Sequence, residues 1–236
     1  TFHLALEVTC QNGGDEFRPD IVIFINGLPL SYIEVKQPNA IRDGKTAIQS
    51  EQSRTAVRFE NRRFRRFNNI TQLISFSDNL PYISGQGQQK QGSFYCSNAF
   101  SKTKFNAFKE EREEELIYSI RSLGEEEIDA VLKDVNRFAL KSQPEFKTNQ
   151  DPSTPCNTFI SSLYQKERLL FLLRYGLAYV EEHSKDGTIQ LQKHVMRYPQ
   201  FFATKAIEDA IGKGVKKGVI WHTQGSGKTA LSYFNI

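Results

Sequence analysis

Cysteine is scarce in this 236-residue chain: only Cys10, Cys96 and Cys156 occur, an odd number at wide spacing. No CxxC pair is present, which argues against a disulfide framework and against a structural zinc site. The reducing conditions of the cytoplasm suit such a chain best. Histidine is also rare, with four residues. His183 and His194 show no ligand spacing. No apolar run reaches the length of a membrane span, and the opening is not that of a secretory signal. No internal repeat is visible. Charge of one sign is not in large excess either. Lys and Arg number 31 against 27 Asp and Glu, a net +4, which permits a nucleic-acid or nucleotide partner without requiring one.

What is present is ordinary in bulk, 39% hydrophobic and 25% charged, enough for one large domain or two small ones. The order of elements tells more. TFHLALEVTC reads as a strand and QNGGDEFRPD as a turn. IVIFI reads as a buried strand. Asn26-Gly27 then gives a strong hairpin signal, and LSYIEVK returns as the partner strand. After an Asp43-Gly44 turn, RDGKTAIQSEQSRTAVRF reads as a helix. TQLISFS is a further strand, GSFYCSN a weaker one, and the Gly/Gln-rich stretch between them a loop. Residues 107–140 carry a charged helical pattern. The Pro-, Ser- and Asn-rich stretch from Lys141 to Asn157 reads as a linker. Helix and short strand follow to Val180, then a strand at TIQLQKHVMRY and a helix at PQFFATKAIEDAIGK. The final KGVIWHTQGSGKTALSYF reads strand, loop, helix.

The last stretch carries a phosphate-loop spelling. Gly225 and Gly227 lack a Cβ, so they can take positive φ and turn backbone N–H groups toward phosphate oxygens. Ser226 lies between them. Lys228 would reach the β- and γ-phosphates of ATP, and Thr229 would offer its hydroxyl to Mg²⁺. His222 stands where the GxxxxGK[ST] pattern has its first glycine, a variant similar to that of superfamily 2 motors. In those motors a glutamine upstream of the loop reads adenine, and Gln200 stands at the matching place. Without the loop, Arg197 to Gln200 would be an unremarkable surface turn.

The hairpin carries the second signal. Asp20 stands at the mouth of the first strand, and Glu34 and Lys36 lie two apart in the second. A period of two puts Glu34 and Lys36 on one face. Burying an acid and a base in an apolar strand is costly unless they are paired or bind a metal. Two converging carboxylates, Asp20 and Glu34, suit Mg²⁺. A lysine beside them can stabilise charge on phosphorus. PD…(D/E)xK as bare spelling is as well explained by an exposed Glu–Lys pair beside a turn, and the strand-hairpin-strand setting is what favours a nuclease site. Arg54, Arg58, Arg62, Arg63, Arg65 and Arg66, interleaved with Phe59, Phe64 and Phe67, suit either tracking of DNA phosphates or a helix with Phe inward and Arg outward. The acidic segments at Glu110–Glu115 and Glu125–Glu127 read as solvated faces.

INGLPLSYIEVK, MRYPQFFATKAI and VIWHTQGSGKT, in this order, resemble the restriction (R) subunit of type I restriction-modification enzymes. The resemblance covers most of the chain. It implies an α/β fold: a restriction-endonuclease-like mixed-sheet domain over residues 1–145, a connector over 146–190, and the start of a RecA-like translocase over 191–236. It implies double-stranded DNA as substrate, Mg²⁺ and ATP as cofactors, and methyltransferase (M) and specificity (S) subunits as partners. Asp20, Glu34 and Lys36 match the family's nuclease residues. The family also tends to place a glutamine, with a tyrosine four residues later, in the following helix. Gln49 is the nearest match, with Ser53 in the tyrosine's place, and Gln52 competes. Both chain ends read as cut within a longer protein. Without the remaining motor motifs, residues 1–236 alone are expected to show negligible ATPase. The alternatives are another nuclease-helicase fusion of repair or antiviral defence, and a non-catalytic DNA-binding or assembly module.

Overall fold

A computed structural model describes residues 1–83, 91–98, 103–117, 122–183, 186–222 and 224–235. Twelve strands lie among them: β1 (Phe2–Leu6), β2 (Cys10–Asn12), β3 (Asp15–Phe17), β4 (Ile21–Ile25), β5 (Leu28–Val35), β6 (Ile41–Arg42), β7 (Lys45–Thr46), β8 (Leu73–Ser77), β9 (Ser93–Cys96), β10 (Asn106–Ala107), β11 (Leu177–His183) and β12 (Ile189–Val195). The α-helices are α1 (Ala47–Glu60), α2 (Arg65–Ile70), α3 (Glu113–Ile117), α4 (Glu125–Asp134), α5 (Pro144–Asn149), α6 (Pro155–Leu163), α7 (Lys166–Tyr175), α8 (Tyr198–Gly212) and α9 (Lys228–Phe234).

The chain is mixed α/β, built on a six-stranded mixed sheet of order β1-β4-β5-β8-β9-β10. Asn26 and Gly27 both take positive φ, 51° and 83°, so the β4–β5 turn has the backbone that suits the twist of paired strands. β5 then pairs parallel with β8, with α1 and α2 in the crossover. The other pairings in the sheet are antiparallel. α1 starts where Thr46 and Gln49 form a reciprocal capping box, which satisfies two otherwise orphaned backbone groups.

Strand alternation divides the core between two faces. Val22, Tyr32, Ile74 and Cys96 pack beneath Phe59 and Phe67 of α1 and α2. Ile23, Ile25, Ile33, Leu73 and Tyr95 face the other way, onto Phe159, Leu163, Leu169, Leu172, Phe201 and Phe202 of α6, α7 and α8. Tyr164 is fixed under the sheet by Ser31 Oγ at 2.9 Å and Ser75 Oγ at 2.8 Å.

The segment expected as a connector contributes α6 and α7 to the same core as the sheet. Several expectations about single elements are corrected. Pro144 and Pro155 of the stretch expected as a linker stand at first-turn positions of helices. The opening strand ends at Leu6, where Glu7 takes φ 51°. The expected turn at 11–20 contains the small β2–β3 hairpin. Among the described residues of 107–140, helix is confined to α3, α4 and a 3-10 turn that begins at Phe138. Glu110 is buried rather than solvated. The strand expected before the phosphate loop does not form. Val219 and Trp221 are each 90% exposed, because among the described residues no strand lies beside them to complete a ladder. The Gly/Gln-rich loop lies largely outside the described residues.

Candidate active site

Val22, Phe24 and Tyr32 of the hairpin pack on the face of the sheet that α1 and α2 cover. Asp20 precedes β4, Glu34 lies in β5 and Lys36 just follows it. The Val35 N–H donates to Asp20 Oδ2 at 2.7 Å, and the Lys36 N–H donates to the Ser77 carbonyl at 2.8 Å. The acidic hairpin mouth is thereby held against the C-terminal end of β8. Lys36 Nζ stands 2.5 Å from Glu34 Oε2, 3.3 Å from Glu51 Oε2 and 3.9 Å from Asp20 Oδ2. The structure thus brings Asp20, Glu34 and Lys36 to one side of the sheet, as the pattern predicts, and adds Glu51 from α1.

Glu34 is 3% exposed and Glu51 is fully buried. Arg58 Nη1 donates to Glu34 Oε1 and to Glu51 Oε1, both at 3.2 Å, and Arg54 Nη2 donates to Glu51 Oε2 at 2.5 Å. Thr55 Oγ1 donates to Glu51 Oε1 at 3.3 Å. Burial pushes the Glu34 carboxyl above its ordinary value and the neighbouring Glu51 charge adds to this, against Lys36 and Arg58. Burial is also the largest single influence on Glu51. There Lys36, Arg58 and Arg54 together outweigh it and hold the carboxyl below its ordinary value.

Asp20, Glu34, Lys36 and Arg58 line an open cleft of about 800 Å³, together with Arg18, Arg54 and Asn61, and Glu51 lies buried behind them. Arg62, Arg63, Arg65 and Arg66 are exposed while Phe64 is buried. Phe17 meets Phe64 and Phe67 edge to face, with centroids 4.9 Å and 5.4 Å away. The Arg/Phe stretch is therefore an inward aromatic cluster with a basic outer face. Gln49 does not join the cleft: its Oε1 accepts the Thr46 N–H at 3.1 Å within the capping box. Sequence reasoning missed Glu51 and Arg58. A usable signal was their place on one face of α1 with Thr55, at spacings of four and three. Among the described residues, no three His, Cys, Asp or Glu side chains are arranged to hold a metal ion. Asp20 and Glu34 offer two hard carboxylate donors, a set that suits a hard divalent cation retaining several waters.

The second site is the glycine loop. Gly225 and Gly227 take φ 77° and 86°, and α9 begins at Lys228. Lys228 Nζ donates to the His222 carbonyl at 3.3 Å, so the ammonium lies over its own loop. Ser226 is buried, while Thr229 is exposed. Gln200 is 3% exposed and lies against the loop. Its Nε2 donates to the Gly227 carbonyl at 3.0 Å and its Oε1 accepts the Arg197 N–H at 2.9 Å. Both ends of the amide expected to read adenine are therefore engaged with the protein. The loop separates two clefts. One, of about 950 Å³, has Tyr198, His222 and Gly225 in its wall. The other, of about 790 Å³, has Gln200 and Thr229. Thr223 lies outside the described residues.

Residues 1–114 match the family model for the Type I restriction enzyme R protein N terminus. Residues 199–236 match that for the SWI2/SNF2 ATPase. Over those first 114 residues, just under half of its length, the chain is similar to the type I restriction enzyme R protein family. Two Methanocaldococcus jannaschii proteins named as type I restriction enzyme endonuclease subunits are similar to it. The MjaVIIP subunit is 44% identical over 72 residues, 28% of this chain and 6% of that protein. The MjaIXP subunit is 23% identical over 226 residues, 92% of this chain and 18% of that protein. The chain therefore spans less than a fifth of the length of either. No solved structure matches. No helix among the described residues is long and apolar enough to cross a membrane.

Proposed function

We propose that this chain is the nuclease region and the opening of the motor of a type I restriction subunit. That subunit cleaves double-stranded DNA by metal-dependent phosphodiester hydrolysis after ATP-driven translocation, in a cytoplasmic assembly with M and S subunits. In this proposal the six-stranded sheet is a restriction-endonuclease-like core within residues 1–145. Residues 146–190 dock on it, and 191–236 open a RecA-like domain. What supports the proposal is the convergence of Asp20, Glu34 and Glu51 within 4.0 Å of the Lys36 ammonium in an open cleft with arginines on its rim.

Asp20 and Glu34 would hold the divalent ion, which when bound supplies charge neutralisation and an activated water at the scissile phosphate. Lys36 places its ammonium beside both carboxylates, where it can stabilise the negative charge that builds on phosphorus. Arg18 and Arg54, on the rim, can grip flanking phosphates, guanidinium forks being matched to phosphate oxygens. The two glycines at positive φ leave the loop's N–H groups free of Cβ obstruction toward a nucleotide phosphate. Lys228 would leave the His222 carbonyl to reach the β- and γ-phosphates, and Thr229 would supply its hydroxyl to Mg²⁺. Gln200 fixes the loop to α8 in the present arrangement. Reading adenine would require its amide to exchange at least one of those two bonds.

The test is to separate the two activities in the full-length subunit assembled with its partners. Glu34→Ala should abolish plasmid cleavage while ATPase and translocation, read by triplex displacement, persist. Lys228→Ala should abolish translocation and, with it, cleavage. A Glu34→Ala enzyme that cuts at the normal rate sinks the nuclease assignment.

A further inference from the structure

The buried carboxylate of Glu51 has no part in the metal pair assigned above, yet it touches three of the cations that line the cleft. It receives Lys36 at 3.3 Å, Arg58 at 3.2 Å and Arg54 at 2.5 Å. It comes from α1, outside the hairpin, and is fully buried. Lys36 sits 2.5 Å from Glu34 Oε2, on an oxygen that a divalent ion would also need. A divalent ion bound there would repel the ammonium more strongly than a second monovalent group does. When the ion takes that oxygen, the ammonium must keep another partner or swing away. Asp20, at 3.9 Å, would be drawn to the same ion. Glu51 is the acid within 4.0 Å of Lys36 that the metal pair leaves untouched.

The geometry points to Glu51 as the positioning residue for Lys36: it retains the ammonium at the reacting phosphate while Asp20 and Glu34 are engaged by the metal. This rests on the nuclease assignment of the preceding section. Arg58 strengthens the arrangement by donating to Glu34 Oε1 and Glu51 Oε1 together, which fixes the spacing between the two acids. Glu51 touches neither substrate nor metal in this scheme and acts through Lys36. The motif expected at Gln49 is thus replaced in function by an acid two residues later. Gln49 is occupied in capping α1.

The experiment uses the full-length subunit with its partners and compares Glu51→Gln, Lys36→Gln, the double variant and Glu34→Gln. Cleavage, ATPase and Mn²⁺ binding by electron paramagnetic resonance are read for each. Glu51→Gln should slow cleavage on the order of 100-fold, as for loss of one aimed charge, with ATPase and Mn²⁺ affinity kept. In the Lys36→Gln background, adding Glu51→Gln should cost less than 3-fold further, because the residue it positions is gone. A purely structural acid would lower the double variant by the full factor again, and that result overturns the inference. Glu51→Gln cleaving within 3-fold of the parent also overturns it, provided Glu34→Gln and Lys36→Gln cleave measurably but on the order of 100-fold more slowly than the parent. If those two cleave normally, the nuclease assignment itself has failed. Should Glu51→Gln not fold, Glu51→Asp keeps the charge but withdraws it by about one bond length. It should show the same ordering at smaller amplitude, and additivity with Lys36→Gln would again refute the role.

Discussion

Replacing Arg168 with alanine should destabilise the 236-residue chain by about 3–5 kcal/mol, the range for removing one partner of a buried ion pair. Arg168 is 5% exposed and Glu110 6%. Arg168 Nη1 donates to Glu110 Oε2 and to Ser162 Oγ, both at 2.7 Å, and the Ser162 hydroxyl donates to the same carboxylate. Without the guanidinium, Glu110 keeps Ser162 and the Glu111 and Arg112 N–H groups but has lost its buried countercharge. The second pair, from Nη2 to Glu115 at 2.9 Å, adds little because Glu115 is half-exposed. Packing over Phe201 and Phe202, with ring centroids 6.0 Å and 5.4 Å from the guanidinium carbon, is lost as well. Urea unfolding followed by far-UV circular dichroism measures the change as a lower midpoint at unchanged slope. Arg168→Met with Glu110→Gln should recover more than half of the loss, since the penalty comes from the stranded charge and not from the absent pair. A loss below about 1 kcal/mol for Arg168→Ala, or no recovery in the double variant, would refute the reasoning.

Gly227→Ala places a Cβ 2.5 Å from Gln200 Nε2 at a φ of 86°. It should cost about 1–3 kcal/mol locally and weaken binding of a fluorescent ATP analogue by the full-length subunit at least about tenfold; unchanged binding would show that the Gln200 contact is dispensable. Burial lowers the Lys193 ammonium to about 8. Its folded value lies below its unfolded one, so the charged form opposes folding below pH 8, and the penalty fades as pH rises from about 8 to the unfolded value near 10.4. Lys193→Met should therefore raise the urea midpoint at pH 7 and bring a shrinking gain above pH 8. A gain that grows with pH would contradict the assignment. Tyr164→Phe leaves Ser31 and Ser75 without their shared phenol and should cost about 1–2 kcal/mol in the same assay; a neutral result would mean water replaces it.

The hairpin was legible because its determinants are local. Asn26-Gly27 sets the turn and alternation puts Glu34 and Lys36 on one face, while Asp20 comes level with Glu34 through the register shift between Ile23 and Phe24, which the spelling does not show. Glu51 was not legible for the opposite reason. A glutamate in a charged helix reads as solvated, and only the placement of α1 over β5 puts it against Lys36 and Arg58. Glu110 failed in the same way, its partner Arg168 lying 58 residues on. The segment from Lys141 to Asn157 misled through composition. Pro144 and Pro155 there start helices, and the apolar positions Phe159 and Leu163 that commit α6 to the sheet follow just beyond. The strand expected at Val219–Trp221 shows the limit of an apolar run. A ladder is a non-local structure, and the run alone supplies no neighbour.

The glycine loop is framed by the sheet as well as by the chain leading to it. Tyr95, at the centre of β9, donates its buried hydroxyl to the Met196 carbonyl at 2.7 Å. One residue on, the Arg197 N–H is capped by Gln200, whose other amide end holds the Gly227 carbonyl. Asp209, toward the far end of α8, accepts from Arg112 at 2.8 Å, and Arg112 shares Glu115 with the buried Arg168. α8 is therefore tied at its N-terminus to β9 and near its C-terminus to the segment that follows β10. Phe201 and Phe202 bury its middle against α6 and α7. A helix fixed at both ends and along one face has little freedom to tilt without breaking buried contacts, because close-packed interiors deform poorly. The loop is tied by side chains on its backbone carbonyls: Gln200 on Gly227 at 3.0 Å, Arg197 on Gly225 at 3.4 Å and the exposed Lys228 on His222 at 3.3 Å. Rearrangement on nucleotide binding should therefore be confined to the loop, with α8 moving little. Hydrogen exchange resolves the two, as fast loop amides beside protected α8 amides.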